Sequence, residues 1–264
     1  MTQPLSAFII ARNEEARIGR TLAALRGLAD DIVVVDSGST DRTVAIAESY
    51  GARVLFHAWD GYGQQKRFAE EQCLHRWVLN VDADEVVTPE LAEEIRTLLG
   101  NGPQSGAYNI RILNIYPGDV KPRPFADDYN VVRLYHRDIG SYRAHPSFDR
   151  VELNGLPPGQ MSAPIWHYPI VNWHGFIEKS NRFSTFQATL PSRRSVRLLK
   201  LRLFVEFPVN FLKTYIVRRH FLGGWKGFYF AVGQAFMRTS RIAKMLEARE
   251  SAAPPSASQA KREA

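Results

Sequence analysis

Four short, nearly continuous apolar runs within the first hundred residues restrict this chain to few architectures. Ile9-Ile10, Ile32-Val33-Val34-Val35, Val54-Leu55-Phe56 and Val78-Leu79 lie inside the segments Ser6–Ala11, Asp31–Asp36, Ala52–His57 and Trp77–Val81. Runs apolar on both faces are what buried parallel strands require, because helices cover such a sheet on each side. Between them, Glu14–Gly27 sets Ile18, Leu22 and Leu25 at helical spacing behind Asn13 as N-cap. Thr40–Tyr50 starts at a Ser39 or Thr40 cap and stops at Gly51, and Gln64–His75 supplies a third helix. Thr88 caps a fourth, with Pro89 at its first position and its end near Gly100. Strand starts recur about every 25 residues, which predicts a β-α-β-α-β-α-β order and a doubly wound parallel sheet.

From Ala107 the pattern changes. Strands over Ala107–Ile115 and Asn130–His136 are separated by Pro117, Pro122 and Pro124, so this half reads as irregular α+β. Leu198–Val217 and Phe221–Ala248 read as helices with aromatic and basic residues interleaved, and Pro208 is expected to kink or divide the first. Ser251–Ala264, rich in Ala, Ser, Pro and Lys, reads as a disordered tail.

The net charge of +7 is unevenly placed. Residues 190–249 carry thirteen Lys/Arg against two acids, Glu206 and Glu247, whereas residues 1–189 carry nineteen against twenty-three. A basic, apolar segment on a mildly acidic body argues for an anionic surface as partner. That asymmetry alone does not distinguish lipid from nucleic acid. Acidic strand ends would repel a phosphate backbone unless metal-loaded, so a membrane leaflet is the expected partner and nucleic acid is not. Ordinary packing with Lys/Arg toward water is the bland alternative, and one helix can do both on different faces. The run Gly227–Met237 is well short of the roughly 20 apolar residues a spanning helix needs. Near Met1 there is no basic n-region, and the apolar run breaks at Arg12-Asn13-Glu14-Glu15, so no signal peptide is expected. The single cysteine, Cys73, excludes an intramolecular disulfide and reads as a small core residue in a reducing compartment. The expected location is cytoplasmic, peripheral on the inner face of the cytoplasmic membrane.

Open α/β sheets bind ligands at the C-terminal ends of their strands. Here those ends are polar: Ala11-Arg12-Asn13-Glu14, then Asp36-Ser37-Gly38-Ser39-Thr40-Asp41, then Asn80-Val81-Asp82-Ala83-Asp84-Glu85. In extended backbone Asp82 and Asp84 would face the same way and offer hard oxygens to Mg²⁺ or Mn²⁺; an acidic turn solvating a strand end is the alternative. Asp36 can accept from a uracil edge or ribose hydroxyls, or close an Asx turn. Lys66 can approach a diphosphate or lie on a solvated face. No P-loop or dinucleotide fingerprint is present.

Phe8-Ile9-Ile10-Ala11-Arg12-Asn13-Glu14-Glu15, Ile32–Asp41, Gln65-Lys66 and Val78–Glu85 resemble, in order and spacing, the nucleotide-site motifs of inverting family 2 glycosyltransferases. The chain is most similar to the branch containing lipopolysaccharide-core β-1,4-glucosyltransferases, over roughly residues 5–248, including Phe221–Phe228. The resemblance implies a GT-A fold, with a GT-A catalytic domain over residues 1–190 (a nucleotide-sugar half to 100 and an acceptor half from 101). It leaves 191–250 as a basic amphipathic, membrane-associating segment. It further implies that Ala11, Asn13 and Glu14 line the nucleoside pocket, that Asp36 contacts uracil or ribose, and that Lys66 approaches the diphosphate. Asp82 would sit by ribose and metal, with Asp84 the direct ligand of Mg²⁺ or Mn²⁺.

Inverting transfer needs a base opposite the leaving group. The branch carries a His-Glu pair here, whereas this chain reads His145-Pro146-Ser147-Phe148-Asp149-Arg150-Val151-Glu152, placing Asp149 at the Glu and Phe148 at the His. Asp149 is therefore the expected base, with Glu152 and Asp128 behind it and a surface pair with Arg150 or Arg143 as the alternative. Trp166-His167-Tyr168-Pro169 and Asn172-Trp173-His174 either bind a sugar or diphosphate or close an aromatic core. The activity implied is metal-dependent transfer of a hexose, glucose by resemblance, from a UDP-sugar to a glycolipid or other glycan acceptor such as lipopolysaccharide inner core. A polyprenyl-linked glycan is the alternative acceptor. Sugar nucleotidyl transfer fits less well, since no glycine follows the first strand, and a non-enzymatic basic membrane-binding module leaves the acidic rim unexplained.

Overall fold

The computed structural model describes residues 3–145, 149–155, 157–190 and 194–251. The apolar runs form β1 (Leu5–Ala11), β2 (Asp31–Asp36), β3 (Arg53–Phe56) and β4 (Trp77–Asn80). Helices α1 (Ile18–Leu25), α2 (Thr43–Ser49) and α3 (Tyr62–Glu71) alternate with them. β1 pairs in parallel with β2 and β4, and β2 with β3, as helical crossovers dictate. Next come β5 (Glu85–Val87), α4 (Pro89–Asn101), β6 (Ala107–Asn114) and β7 (Asp128–His136). A small antiparallel pair follows, β8 (Gly140–Tyr142) with β9 (Val151–Leu153), then β10 (Gly159–Gln160) and β11 (Ile165–His167).

The main sheet has the order β3-β2-β1-β4-β7-β6-β11-β5, with β10 beside β6. β7 runs antiparallel to β4 and β6, and β5 antiparallel to β11. This is the helix-flanked, mostly parallel α/β sheet expected of a GT-A fold. Alternation along the strands splits the core in two. Leu5, Ala7, Ile9, Leu79 and Val34 join the cluster with α1 and α4, while Phe8, Val33, Val35 and Val78 join the one with α3. Cys73 is buried in the second cluster, as expected.

The chain divides into two compact units, Met1–Pro122 with Ala126–Val171, and Arg123–Phe125 with Asn172–Ala264. The second contains α5 (Trp173–Thr189), α6 (Val196–Leu212) and α7 (Gly224–Ser251), with a π turn at Lys213–Val217 and a 3-10 turn at His220–Gly223. Leu199 of α6 packs on Ile242, Met245 and Leu246 of α7. The Trp173 ring of α5 lies 4.9 Å from that of Tyr229. Among the described residues no helix is long and apolar enough to cross a membrane.

Several local expectations are corrected. Asn13 does not cap α1, which starts at Ile18; its backbone is left-handed (φ 56°) and its side chain accepts from the Thr40 N–H at 2.8 Å. Nor does Ser39 or Thr40 cap α2: Asp41 accepts the first free N–H, that of Thr43, at 2.9 Å. Pro208 does not divide α6, which runs through it to Leu212. Asn172 opens a 17-residue helix that the aromatic pattern did not reveal. The expected disordered tail lies, after Ser251, outside the described residues.

Candidate active site

The strand ends of the first unit do form one polar rim, and hydrogen bonds between neighbouring loops build it. The Asn13 N–H donates to Ser39 Oγ at 2.9 Å and the Glu14 N–H to Thr43 Oγ1 at 2.7 Å, tying the loop after β1 to the loop after β2. Ala11 is buried and its carbonyl accepts from the Ser37 N–H. Asp36 is buried too, and Gly38, in the left-handed region (φ 88°), turns the chain so that the Gly38 and Ser39 N–H groups each donate to Asp36 Oδ2 at 2.8 Å. Ser39 Oγ donates to Oδ1. The Asx turn is thus formed, and Oδ1 keeps one acceptor position.

Lys66 is the centre of the site. It lies on α3 behind Gln65, whose amide donates to Ser37 Oγ at 2.8 Å, so the β2 loop fixes the helix that carries it. Lys66 is fully buried, with Nζ 2.8 Å from Asp82 Oδ1 and 2.9 Å from Asp149 Oδ1. Burial opposes its charge, yet the facing carboxylates hold its pKa above the ordinary lysine value. The solvated-face alternative is excluded by that burial. These three residues line one cavity of about 310 Å³ with Arg133, Tyr142 and Tyr129. A larger hollow of about 990 Å³ along α4 and β10 contains none of the rim residues.

Asp82 and Asp84 do not face the same way, which corrects the extended-strand argument. β4 ends at Asn80, and Val81–Asp84 turns, with the Glu85 N–H donating to the Asp82 carbonyl at 2.9 Å. Asp82 therefore meets Lys66 and Arg133 (Nη2 to Oδ2, 2.8 Å), while Asp84 meets Arg17 (3.2 Å) and His167 (3.4 Å). Burial disfavours both charges, but Arg133 and Lys66 hold Asp82 well below the carboxylate range and His167 and Arg17 lower Asp84. Glu14 is drawn in through Arg17, whose Nη2 donates to Glu14 Oε1 at 2.7 Å.

Sequence reasoning missed Arg133 and Arg17, and named His167 without a partner. Arg133 is the extra residue of a bulge: Tyr108 pairs with Leu134 and Asn109 with Val132. A bulge re-aims the side chain it carries, and here the buried guanidinium reaches Asp82, Glu85 (2.6 Å) and Asn80. Its signal was available, a charged residue inside the apolar run Val131–Tyr135. His167 stands on β11 with Nδ1 2.8 Å from Asn114 Oδ1, and Asp84 raises its pKa against the opposing effect of burial.

Asp149 pairs with neither Arg150 nor Arg143; both its oxygens lie on Lys66, at 2.9 and 3.1 Å. Glu152 pairs with Arg143 at 3.4 Å, and Asp128 opens β7; neither lines the cavity. Phe148, expected at the family histidine, lies outside the described residues. His174 belongs to the second unit, where it faces Glu178 at 3.6 Å.

The metal expectation can be weighed on donor chemistry. Asp84 offers a hard oxygen and His167 an imidazole nitrogen on the same side, a set that suits Mn²⁺ better than Mg²⁺. Among the described residues no three His, Cys, Asp or Glu converge as a closed metal cage. Asp84 and His167 would thus supply two donors to such an ion.

Residues 6–149 match the family model described as glycosyl transferase family 2. An uncharacterized glycosyltransferase of Rickettsia felis is 37% identical over 255 residues, spanning 93% of this chain and 90% of that protein. The lipopolysaccharide core biosynthesis glycosyltransferase LpsC of Rhizobium meliloti is 31% identical over 252 residues, spanning 90% of this chain and 92% of its own. The solved structure of S. aureus TarS is similar over 95% of this chain and 92% of that one, at 16% identity and a TM-score of 0.46.

Proposed function

We propose that this chain, which belongs to glycosyl transferase family 2, moves a hexose, glucose by similarity, from a UDP-sugar to a glycolipid such as lipopolysaccharide inner core, with inversion. The observation that carries the reading is Lys66, buried between Asp82 on the strand-end rim and Asp149 on the other wall of the same cavity. A buried cation flanked by two carboxylates suits a site that receives a diphosphate and positions a base beside it. Relatives named as glycosyltransferases, one in lipopolysaccharide core biosynthesis, support the acceptor class.

The nucleotide-sugar half is assigned to residues 1–100, with Ala11, Asn13, Glu14 and Asp36 around the nucleoside and Lys66 and Asp82 toward diphosphate and ribose. Asp84 and His167 would hold a Mn²⁺ or Mg²⁺ ion, with Asp82 beside it. When bound, that ion supplies charge neutralisation to the departing diphosphate. Asp149, in the acceptor half 101–190, accepts the proton of the acceptor hydroxyl. The oxygen then bonds to the anomeric carbon as the sugar–phosphate bond breaks, and the electron pair leaves on UDP. Lys66 orients Asp149 by gripping both its oxygens. A glycolipid acceptor places the enzyme peripherally on the cytosolic leaflet, with residues 191–250 as its membrane-associating segment.

Asp149→Asn should lower kcat by at least about a hundredfold while UDP-sugar affinity stays within a few-fold. Equal losses in both would assign Asp149 a structural role instead. Asp84→Ala should abolish dependence on added Mn²⁺, and unchanged metal-dependent turnover would remove Asp84 as ligand. A screen pairing UDP-hexoses with heptose-bearing core lipid and polyprenyl-linked sugar fixes donor and acceptor.

A further inference from the structure

α6 uses one face for packing and leaves the opposite face open. Leu199 and Glu206 are buried, Leu199 against α7. Leu198, Leu201, Val205, Val209 and Leu212 are all exposed. These five follow one another in steps of three and four residues, which at helical periodicity is one continuous stripe of α6. Phe204, 79% exposed, widens it. Further exposed rings, Phe221 and Trp225, follow at the 3-10 turn and the start of α7. Soluble surfaces rarely leave so much contiguous apolar area to water.

The charge around the stripe identifies what covers it. Arg197 at the start of α6 and Lys213 just after it are exposed, and Arg218 and Arg219 follow, whereas Lys200 faces Glu250 of α7 at 3.7 Å. Residues 190–249 hold thirteen Lys/Arg against two acids. Two copies meeting through this face would set these cations against each other. A stripe widened by Phe204 is also broader than the narrow seam of paired helices. Basic flanks beside a broad apolar face suit a helix lying in the interface of an anionic bilayer.

We infer that the Leu198–Leu212 face of α6 docks on an anionic lipid leaflet, its apolar stripe entering the acyl boundary and Arg197 and Lys213 meeting lipid phosphates. The inference rests on the glycolipid reading for its purpose and on the surface itself for its evidence. Flotation of the full chain with phosphatidylcholine vesicles, with and without phosphatidylglycerol, tests it. Binding should require the anionic lipid and weaken as salt rises. Combined Leu201→Glu and Val205→Glu should reduce it by at least about tenfold, and Arg197→Gln with Lys213→Gln by roughly thirtyfold. Both variants change exposed groups, and unaltered circular dichroism and melting verify their folds.

Absence of vesicle binding by the wild-type chain overturns the inference. So does a dimer, seen by sedimentation, that the Glu variants dissociate. Donor hydrolysis and transfer to a soluble acceptor separate the two readings. Vesicle binding without transfer keeps the surface and sinks the reaction, while transfer without vesicle binding does the reverse.

Discussion

Arg133 carries two jobs with one guanidinium. It neutralises Glu85, whose side chain is fully buried, and it holds Asp82 at the cavity. Removing one partner of a buried ion pair strands the other, at a cost of roughly 3–5 kcal/mol. Arg133→Met should lose about that much in urea denaturation, and adding Glu85→Gln should recover part of it by removing the stranded carboxylate. No recovery would show that the bulge, and not the charge pair, sets the cost. Glu70 gives a pH-dependent counterpart. Burial raises its pKa above 4.5 despite bonds from Tyr135 Oη (2.7 Å) and the Tyr142 N–H (2.9 Å). A carboxyl whose folded pKa is raised stabilises most below its unfolded value and loses that contribution as pH rises through the folded one. The melting temperature of the wild type should therefore fall relative to Glu70→Gln as pH climbs above 4.5, and a constant difference would refute it. At this scale the sequence showed which residue types crowd the rim, but not their pairing. Asp82 and Asp84 diverge because the strand ends at Asn80, two residues before the motif.

Elements were legible where apolar periodicity and caps agreed. β2 occupies Asp31–Asp36 as expected, and α4 begins behind Thr88 with Pro89 at its first position. Thr88 Oγ1 accepts from the Leu91 N–H at 3.2 Å and donates to the Pro164 carbonyl at 2.9 Å. Thr88→Ala should cost about 1–2 kcal/mol in stability, the upper end reflecting the second bond. A loss within a few tenths would mean that water replaces both. Where side chains had a competing partner, the local signal misled. Asn13 and Asp41 both bond between the loops after β1 and β2, and α1 and α2 start later as a result. α5 was hidden because its aromatic residues read as a core cluster, which several of them do form with α7: Phe176 stacks on Phe230 at 5.4 Å. Gly233 of α7 faces that ring so closely that an added Cβ would overlap it.

At the scale of the whole chain, the sequence already separated a mildly acidic body from a basic end, because charge needs no contacts to be counted. Where the compact units meet was not legible, since α5 belongs with α6 and α7 by packing that no local pattern records. The residues proposed for the donor site all lie within the unit Met1–Pro122 with Ala126–Val171, and this makes ligand linkage a test of that proposal. A ligand that binds only the folded state stabilises it by about 2.7 kcal/mol at a hundred times its Kd. On the proposed assignment, in which Asp84 would hold the ion that neutralises the diphosphate, UDP and Mn²⁺ together should raise the melting temperature more than the sum of their separate effects. Asp84→Ala should keep the shift given by UDP alone and lose the synergy. His167→Ala should weaken the synergy without removing it, as expected for the second donor of the pair. If Asp84→Ala retains the full combined shift, the ion is held elsewhere and the Asp84–His167 pair is only a structural charge contact.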